Sequence, residues 1–249
     1  MHDIDSIIKN SLVIIPARGG SKRIPNKNIK PICNQPMIYW PLMELSKFFS
    51  KENVIISTDS KEIVDILNLK GIEVPFVRPR ELSDDFTGTI PVAKHALNWF
   101  EENRNKVSHV LIIYPTAVLL NINDIKDSLQ HIKDNEDLDF VMSATSFPAP
   151  IQRALYLDKQ GKAKMFNPEH YSSRSQDLRN SYHDAGQFYI YNAESLRNGK
   201  TLVDSNVGLK ILPRNRVIDI DTEEDFEVAE SRMREVGLDK IDFSWTFDN

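Results

Sequence analysis

Residues 13–28 read VIIPARGGSKRIPNKN. An apolar, β-branched run reaches Pro16, Gly19 and Gly20 follow, and Arg18, Lys22, Arg23 and Lys27 crowd one short loop. The run has the composition of a buried strand, and the glycines punctuate the turn that leaves it. Like charges this close repel one another unless an anion sits among them. Two readings follow from the residues alone. Either the loop is a solvated surface turn with scattered charges, or it is a phosphate cradle. In the second case glycine lets the backbone approach a ligand and turns successive N–H groups inward. Arg18 then forks onto phosphate oxygens while Lys22 and Lys27 act as mobile point charges.

Outward from the loop, the strand signature recurs in NVIIST (53–58), IEVPFV (72–77), HVLIIYP (109–115) and FVMSAT (140–145). Between these runs, KEIVDILNLKG (61–71), PVAKHALNWFEEN (91–103) and INDIKDSLQHIKDN (122–135) space their apolar residues as amphipathic helices do. Strands alternating with helices predict an α/β, Rossmann-like architecture, a mainly parallel sheet covered on both faces, within one domain over 1–249. Ligands of such sheets collect beyond the carboxyl ends of the strands, where the quoted loop lies. Residues 147–187 break the pattern. They are polar and rich in Arg, His and Tyr, and are expected to form a flap inserted into the domain. RVIDID (216–221) is expected as a final strand, with Thr222 and Asp225 starting a helix that Gly237 ends.

The chain has 249 residues, 41% of them hydrophobic, enough for a full core, and a net charge of −5, unlike a nucleic-acid-binding domain. The cationic loop is therefore local, which favours a small anion over a polyanion. Cys33 is the single cysteine, so no internal disulfide or cysteine metal cage can form. MHDIDSIIKN lacks the apolar segment of a secretory signal, and no run approaches the roughly 18 apolar residues of a membrane span. A cytoplasmic protein without a membrane partner is the expectation. G-x-G-x-x-G is absent, and Gly199-Lys200-Thr201 imitates a Walker loop, but Glu194 stands where that motif needs glycine.

PARGGSKRIPNKN resembles the nucleotide-binding loop of the CMP-sugar synthetases, cytidylyltransferases that act on acidic sugars. Further segments agree in order: VIISTD (54–59), VPFVRPRELSDD (74–85), YPTA (114–117) and VIDIDTEED (217–225). DDFTGTIPVAKHAL (84–97), SFPAPIQRAL (146–155) and RSQDLRNSYHDAGQFYIY (174–191) are more similar to the pseudaminic acid branch than to the sialic acid branch. The resemblance implies a sheet of the nucleotide-diphospho-sugar transferase type. It also implies transfer of CMP from CTP to the anomeric hydroxyl of a nine-carbon 2-keto acid sugar, with release of pyrophosphate and dependence on Mg²⁺, or Mn²⁺ in its place. Arg18, Lys22 and Lys27 match the family's triphosphate contacts. Ala17, Gly19, Ser21 and Asn28 belong to the same loop, and Arg78 and the segment from Ser83 to Thr87 match positions near cytosine and ribose.

Asp219 and Asp221 flank Ile220, and on a strand both carboxylates would reach one hydrated metal. From spacing alone they could equally be an exposed strand edge before a helix cap; the resemblance favours the metal. Arg174 matches an arginine that meets the sugar. His183 stands where sialic acid enzymes carry arginine, and Gln152, Arg153 and Gln187 are further sugar candidates. Tyr114-Pro115-Thr116 replaces an aspartate that the KDO enzymes carry after the central strand. By resemblance, 147–187 lies at a homodimer interface and completes the neighbour's sugar site. The general base is left open among a metal-bound hydroxide, an aspartate of the pair and solvent. His95 is expected as a satisfied, partly buried histidine. Phe243, Trp245 and Phe247 either cover the core or meet a partner. Rival readings are the same transfer onto N-acetylneuraminic or legionaminic acid, a sugar-nucleotide glycosyltransferase with an Asp-x-Asp metal site, and a protein that binds CTP without turnover.

Overall fold

The computed structural model describes residues 4–247. Its strands are β1 (Ser11–Pro16), β2 (Pro31–Ile32), β3 (Gln35–Pro36), β4 (Val54–Ser57), β5 (His109–Ile113), β6 (Phe140–Ser146), β7 (Leu155–Leu157), β8 (Ala163–Met165), β9 (Tyr182–Asn192) and β10 (Val207–Ile211). Its helices are α1 (Ile4–Lys9), α2 (Tyr39–Leu45), α3 (Lys61–Asn68), α4 (Thr89–Asn103), α5 (Ile122–Asp134), α6 (Ala193–Arg197) and α7 (Glu223–Glu235). The central sheet runs β10-β6-β9-β5-β1-β4. β4, β1 and β5 pair in parallel, as do β10 and β6, and β9 lies antiparallel between β5 and β6.

Alternation along the buried strands divides the sheet's two faces. Val13, Ile15, Ile56, Leu111 and Ile113 pack with Leu42 of α2, Ile63 and Leu67 of α3, and Ile125 and Leu129 of α5. Leu12, Ile14, Ile55, Val110 and Ile112 pack with Ala93, Ala96, Leu97 and Phe100 of α4 and Leu196 of α6. A third cluster joins Ile24 of the cationic loop and Ile220 to Trp40, Phe226, Ala229 and Met233. Phe243 and Trp245 pack onto Tyr39 and Trp40, so the C-terminal aromatics cover the core. Thr222 and Asp225 make the expected reciprocal capping box, and Gly237 turns the chain with a φ of 78°.

Three expectations fail for identifiable reasons. IEVPFV (72–77) forms no ladder: Pro75 has no N–H to give, and only Val77 bridges Thr58. RVIDID (216–221) forms no strand. Leu212 N–H still donates to the Ala144 carbonyl at 2.7 Å, but Pro213 cannot continue the ladder and Arg214–Arg216 turn as a 3₁₀ helix. Residues 182–187 belong to the sheet rather than to the flap, because β9 begins at Tyr182, with His183 opposite Thr145 and Asp184 opposite Ala144. The irregular part of the insertion thus ends at 181, and its regular structure is the small β7–β8 hairpin and short 3₁₀ turns.

β6 and β9 change register between Met142 and Ala144. The buried Ser143 hydroxyl repairs that break, donating to the Phe188 carbonyl at 3.1 Å and accepting from the N–H groups of Gln187 and Phe188 at 3.3 and 3.0 Å. Ser143→Ala strands these groups in a dry interior and is expected to cost about 1–3 kcal/mol. The expected readout is a lower urea midpoint with an unchanged slope; an unchanged midpoint would contradict this role.

Candidate active site

β1 and β5 deliver their carboxyl ends to one cavity of about 430 Å³, and β4 ends alongside, where Ser57 accepts from the cavity-lining Arg78. Arg18, Ser21, Lys22, Arg23, Lys27 and Asn28 line one wall; Arg78, Asp85, Thr87, Gly88 and Thr89 line another, and Tyr114, Pro115 and Thr116 follow β5. Of the residues expected at a nucleotide, Arg18, Ser21, Lys22, Lys27, Asn28, Arg78 and Thr87 therefore converge. Ala17 lies buried beneath, its N–H on the Ser57 carbonyl at 2.9 Å. Ser83 turns away, its hydroxyl on the Pro79 carbonyl at 3.0 Å.

Local chemistry holds the loop open. Gly19 N–H donates to Asp59 Oδ1 at 2.9 Å, and a Cβ at Gly19 would meet Ser60 Cβ at 2.7 Å, so this close approach requires glycine. Asn28 donates to the Arg18 carbonyl at 2.9 Å, which ties the loop's two ends together. Arg78 is buried, donating to the Ser57 hydroxyl at 3.0 Å and to the Ser57 carbonyl. Burial and the nearby Arg18 push its guanidinium down to about 10, against the pull of Asp59. A buried cation with no carboxylate in ion-pair contact among the described residues favours an incoming anion.

Internal acids answer the crowding of positive charge. Arg18 Nη1 meets Asp85 Oδ1 at 2.8 Å, and Lys22 pairs with the other oxygen of the same carboxylate. Asp221 Oδ1 takes Arg23 at 2.8 Å and Lys27 at 3.2 Å, while Lys27 also donates to the Ile220 carbonyl at 2.7 Å. Hydrogen bonds from Lys22 and Arg18 hold the Asp85 carboxyl below the usual range. Asp59 and Asp85 both lie in stretches that carry the family resemblance, but their contacts with the loop could not be read there, since they come from elements that meet it only in the fold.

Asp219 and Asp221 still project from either side of the buried Ile220, although the segment is not a strand. Among the described residues the Asp219 carboxylate has no hydrogen-bond partner; partial burial beneath Gly186 and the nearby Asp221 raise its pKa. No group of three or more His, Cys, Asp or Glu side chains converges among the described residues. Two hard carboxylates fit Mg²⁺, which takes one or two such ligands and completes its shell with phosphates and water.

The expected sugar residues lie elsewhere. A second cavity of about 220 Å³ shares Thr89 and Tyr114 with the first and is completed by Ile112, Phe140, Met142, Asp184, Tyr189 and Leu202, among others. There Tyr114 and Thr89 share a hydrogen bond of 2.8 Å, and Tyr189 donates to Asp184. Burial raises both tyrosine pKa values, keeping the hydroxyls protonated as donors. Arg153 and Arg174 sit exposed on the flap, outside both cavities. Gln152 donates to the Arg179 carbonyl at 2.8 Å, Gln187 donates to the Arg216 carbonyl, and each amide keeps a buried oxygen without a partner. His183 is exposed, its Nδ1 2.8 Å from the Asp184 carbonyl and its ring against Phe147. His95 packs edge-on against Phe76 but leaves a buried, unpartnered Nδ1, so it is not fully satisfied.

The cytidylyltransferase family model matches residues 12–240, and the chain belongs to this family of nucleotidyltransferase enzymes. It is 38% identical over 219 residues to a pseudaminic acid cytidylyltransferase of Campylobacter jejuni strain 81-176, covering 88% of this chain and 94% of that one. It is 29% identical over 217 residues to an N-acylneuraminate cytidylyltransferase of Streptococcus agalactiae serotype V, covering 86% of this chain and 51% of that one. In fold it resembles a CMP:2-keto-3-deoxy-manno-octonic acid synthetase solved with CTP, with a TM-score of 0.66 and 15% identity over 92% of this chain and all of that one. No helix among the described residues is long and apolar enough to cross a membrane.

The raised Asp219 pKa has a sign that can be checked. A carboxyl whose folded pKa exceeds its unfolded one makes ionisation costly to the fold. That cost is full above the folded value and disappears below the unfolded value, near about 3.9. In EDTA, Asp219→Asn is therefore expected to melt above the wild type at neutral pH, the gap closing as pH falls through this window. A variant that melts at or below the wild type at neutral pH would contradict the cost that burial and Asp221 place on the Asp219 charge.

Proposed function

We propose that this enzyme transfers CMP from CTP to the anomeric hydroxyl of pseudaminic acid, releasing pyrophosphate. The cavity carries the nucleotide half of this reading: loop cations and the buried Arg78 surround a space that suits a triphosphate. Similarity over 94% of the Campylobacter jejuni pseudaminic acid enzyme supports the choice of sugar.

The sugar's anomeric hydroxyl gives up its proton to a base as its oxygen attacks the α-phosphorus, the bond to the bridging oxygen of the β-phosphate breaks, and pyrophosphate departs with that electron pair. Negative charge grows on the phosphate oxygens along this path. Arg18, Lys22 and Lys27 meet that charge, and Arg78 holds the nucleotide from beneath, so the protein supplies position and charge rather than a covalent intermediate. Asp219 and Asp221 would hold Mg²⁺, or Mn²⁺ in its place, and the bound ion would withdraw charge from the triphosphate. Tyr114 and Thr89 line both cavities, and this adjacency supports the smaller one, with Tyr189 and Asp184, as the sugar pocket.

Arg153 and Arg174 reach neither cavity of their own chain, while Leu155, Tyr156, Leu157, Phe166 and Tyr171 of the flap are exposed. Exposed apolar groups on a polar flap suit a protein contact, and a homodimer in which the flap serves the neighbour's sugar site gives these residues a role. Cytoplasmic synthesis of an activated sugar for surface glycans completes the reading.

The test is pyrophosphate release from CTP and Mg²⁺ with a panel of nonulosonic acids. Pseudaminic acid is expected to show the highest kcat/KM. A preference for legionaminic or N-acetylneuraminic acid would move the enzyme to another branch, and CTP binding without release on any acid would leave a non-catalytic CTP-binding protein. Arg18→Ala is expected to lower turnover by roughly 10²–10³, the scale of one lost charge-stabilising donor. Near-normal turnover in the folded variant would remove Arg18 from the reaction.

A further inference from the structure

One carboxylate already does for Arg18 and Lys22 what a phosphate would do. Asp85 reaches across the cavity, its Oδ1 2.8 Å from Arg18 Nη1 and its Oδ2 on Lys22. It also lines the cavity itself, so a bound triphosphate and Asp85 would seek the same two cations. Both cannot hold them well. Anions placed together repel, and each cation's field is shared between them.

The carboxylate's setting favours yielding. The pairs are open to solvent, with the Lys22 side chain 80% exposed and that of Asp85 34%. Exposed ion pairs are weak and readily exchanged, whereas a permanent structural pair would be buried and fully hydrogen-bonded. The turn that carries Asp85 is closed largely by its own hydrogen bonds. Asp84 Oδ1 accepts the N–H groups of Phe86 and Thr87 at 2.9 and 2.7 Å, closing a turn that needs no outside support. Phe86 is 95% exposed, so no core contact pins that turn, and nothing lies within 4 Å of a Cβ built at Gly88. Beyond its junction with α4 at Gly88, the segment is tied by Arg18 on the Asp84 carbonyl at 2.9 Å and Thr87 on the Glu81 carbonyl at 3.1 Å. The first of these belongs to the same exchange.

We propose that Asp85 is an exchangeable counter-ion: it holds Arg18 and Lys22 over the empty cavity, surrenders them to an incoming triphosphate, and reclaims them as pyrophosphate leaves. This rests on the nucleotide reading of the cavity but adds a positioning residue to it. Asp85 keeps two mutually repelling side chains poised where phosphate arrives. It also competes with both substrate and product, lowering affinity for each and assisting release of the most highly charged product.

The test is calorimetric binding of inorganic tripolyphosphate and of CTP, in EDTA and low salt, to the wild type and to Asp85→Asn. The amide keeps the shape but not the charge. The variant is expected to bind tripolyphosphate roughly three- to tenfold more tightly, the scale of two exposed ion pairs removed. In the working enzyme the CTP KM and the pyrophosphate inhibition constant are expected to fall together by a similar factor, a split that general loosening of the site would not produce. Unchanged or weaker tripolyphosphate binding by the folded variant would overturn the proposal. Tighter tripolyphosphate binding with no CTP binding by either protein would sustain the exchange and strike the nucleotide reading instead. Should Asp85→Asn fold poorly, hydrogen exchange of the wild type decides: tripolyphosphate is expected to speed exchange of the amides of 84–88, and no change there would overturn the proposal.

Discussion

Concentrated positive charge at one end of a sheet is the constraint around which this site is built. Arg18, Lys22, Arg23 and Lys27 share one loop with the buried Arg78 close behind, and such an arrangement persists only while negative charge is supplied to it. Asp85, in the cavity lining, and Asp221, beside the buried Ile220, supply it, each taking two cations. They do so at the surface, where pairing is weak, so the cations are held without being neutralised for good. A deeply buried set of pairs would be harder to open than a nucleotide could repay.

The fold holds the charges there by burying what lies between them. Ile24 sits inside the cationic loop and Ile220 between the two aspartates, and both are packed into one cluster with Trp40, Phe226 and Met233. Each buried isoleucine anchors its polar neighbours at the cavity's edge without using a strand. Glycine at position 19 lets the loop pass against Ser60, and Asn28 closes it. The parallel strands add direction, since β1, β4 and β5 end at the same side and deliver Arg18, Asp59 and Tyr114 together.

How much of this can be read from the chain depends on the range of the forces involved. β1, β5, β6 and helices α3, α5 and α7 follow from local periodicity and caps, and the structure has them where the pattern puts them. The stretches that fail are those where a distant effect outweighs propensity. Pro75 and Pro213 interrupt ladders, and β9 draws the polar residues 182–187 into the sheet through pairing with β6. The cationic loop announces itself because its charges are contiguous. Asp85, Asp59 and the Thr89–Tyr114 pair do not, because their meaning arises only when separate elements meet. Arg174 and Arg153 are the reverse case: conspicuous in sequence, they reach neither cavity within their own chain.

We propose that the loop cations grip the triphosphate of a cytidine nucleotide. A crystal structure of the protein with CTP and Mg²⁺ tests it most directly. Triphosphate oxygens are expected on Arg18, Lys22 and Lys27, cytidine toward Arg78 and Thr87, and Asp85 withdrawn from both of its cations. CTP bound elsewhere, with the Arg18–Asp85 and Lys22–Asp85 pairs intact, would contradict it.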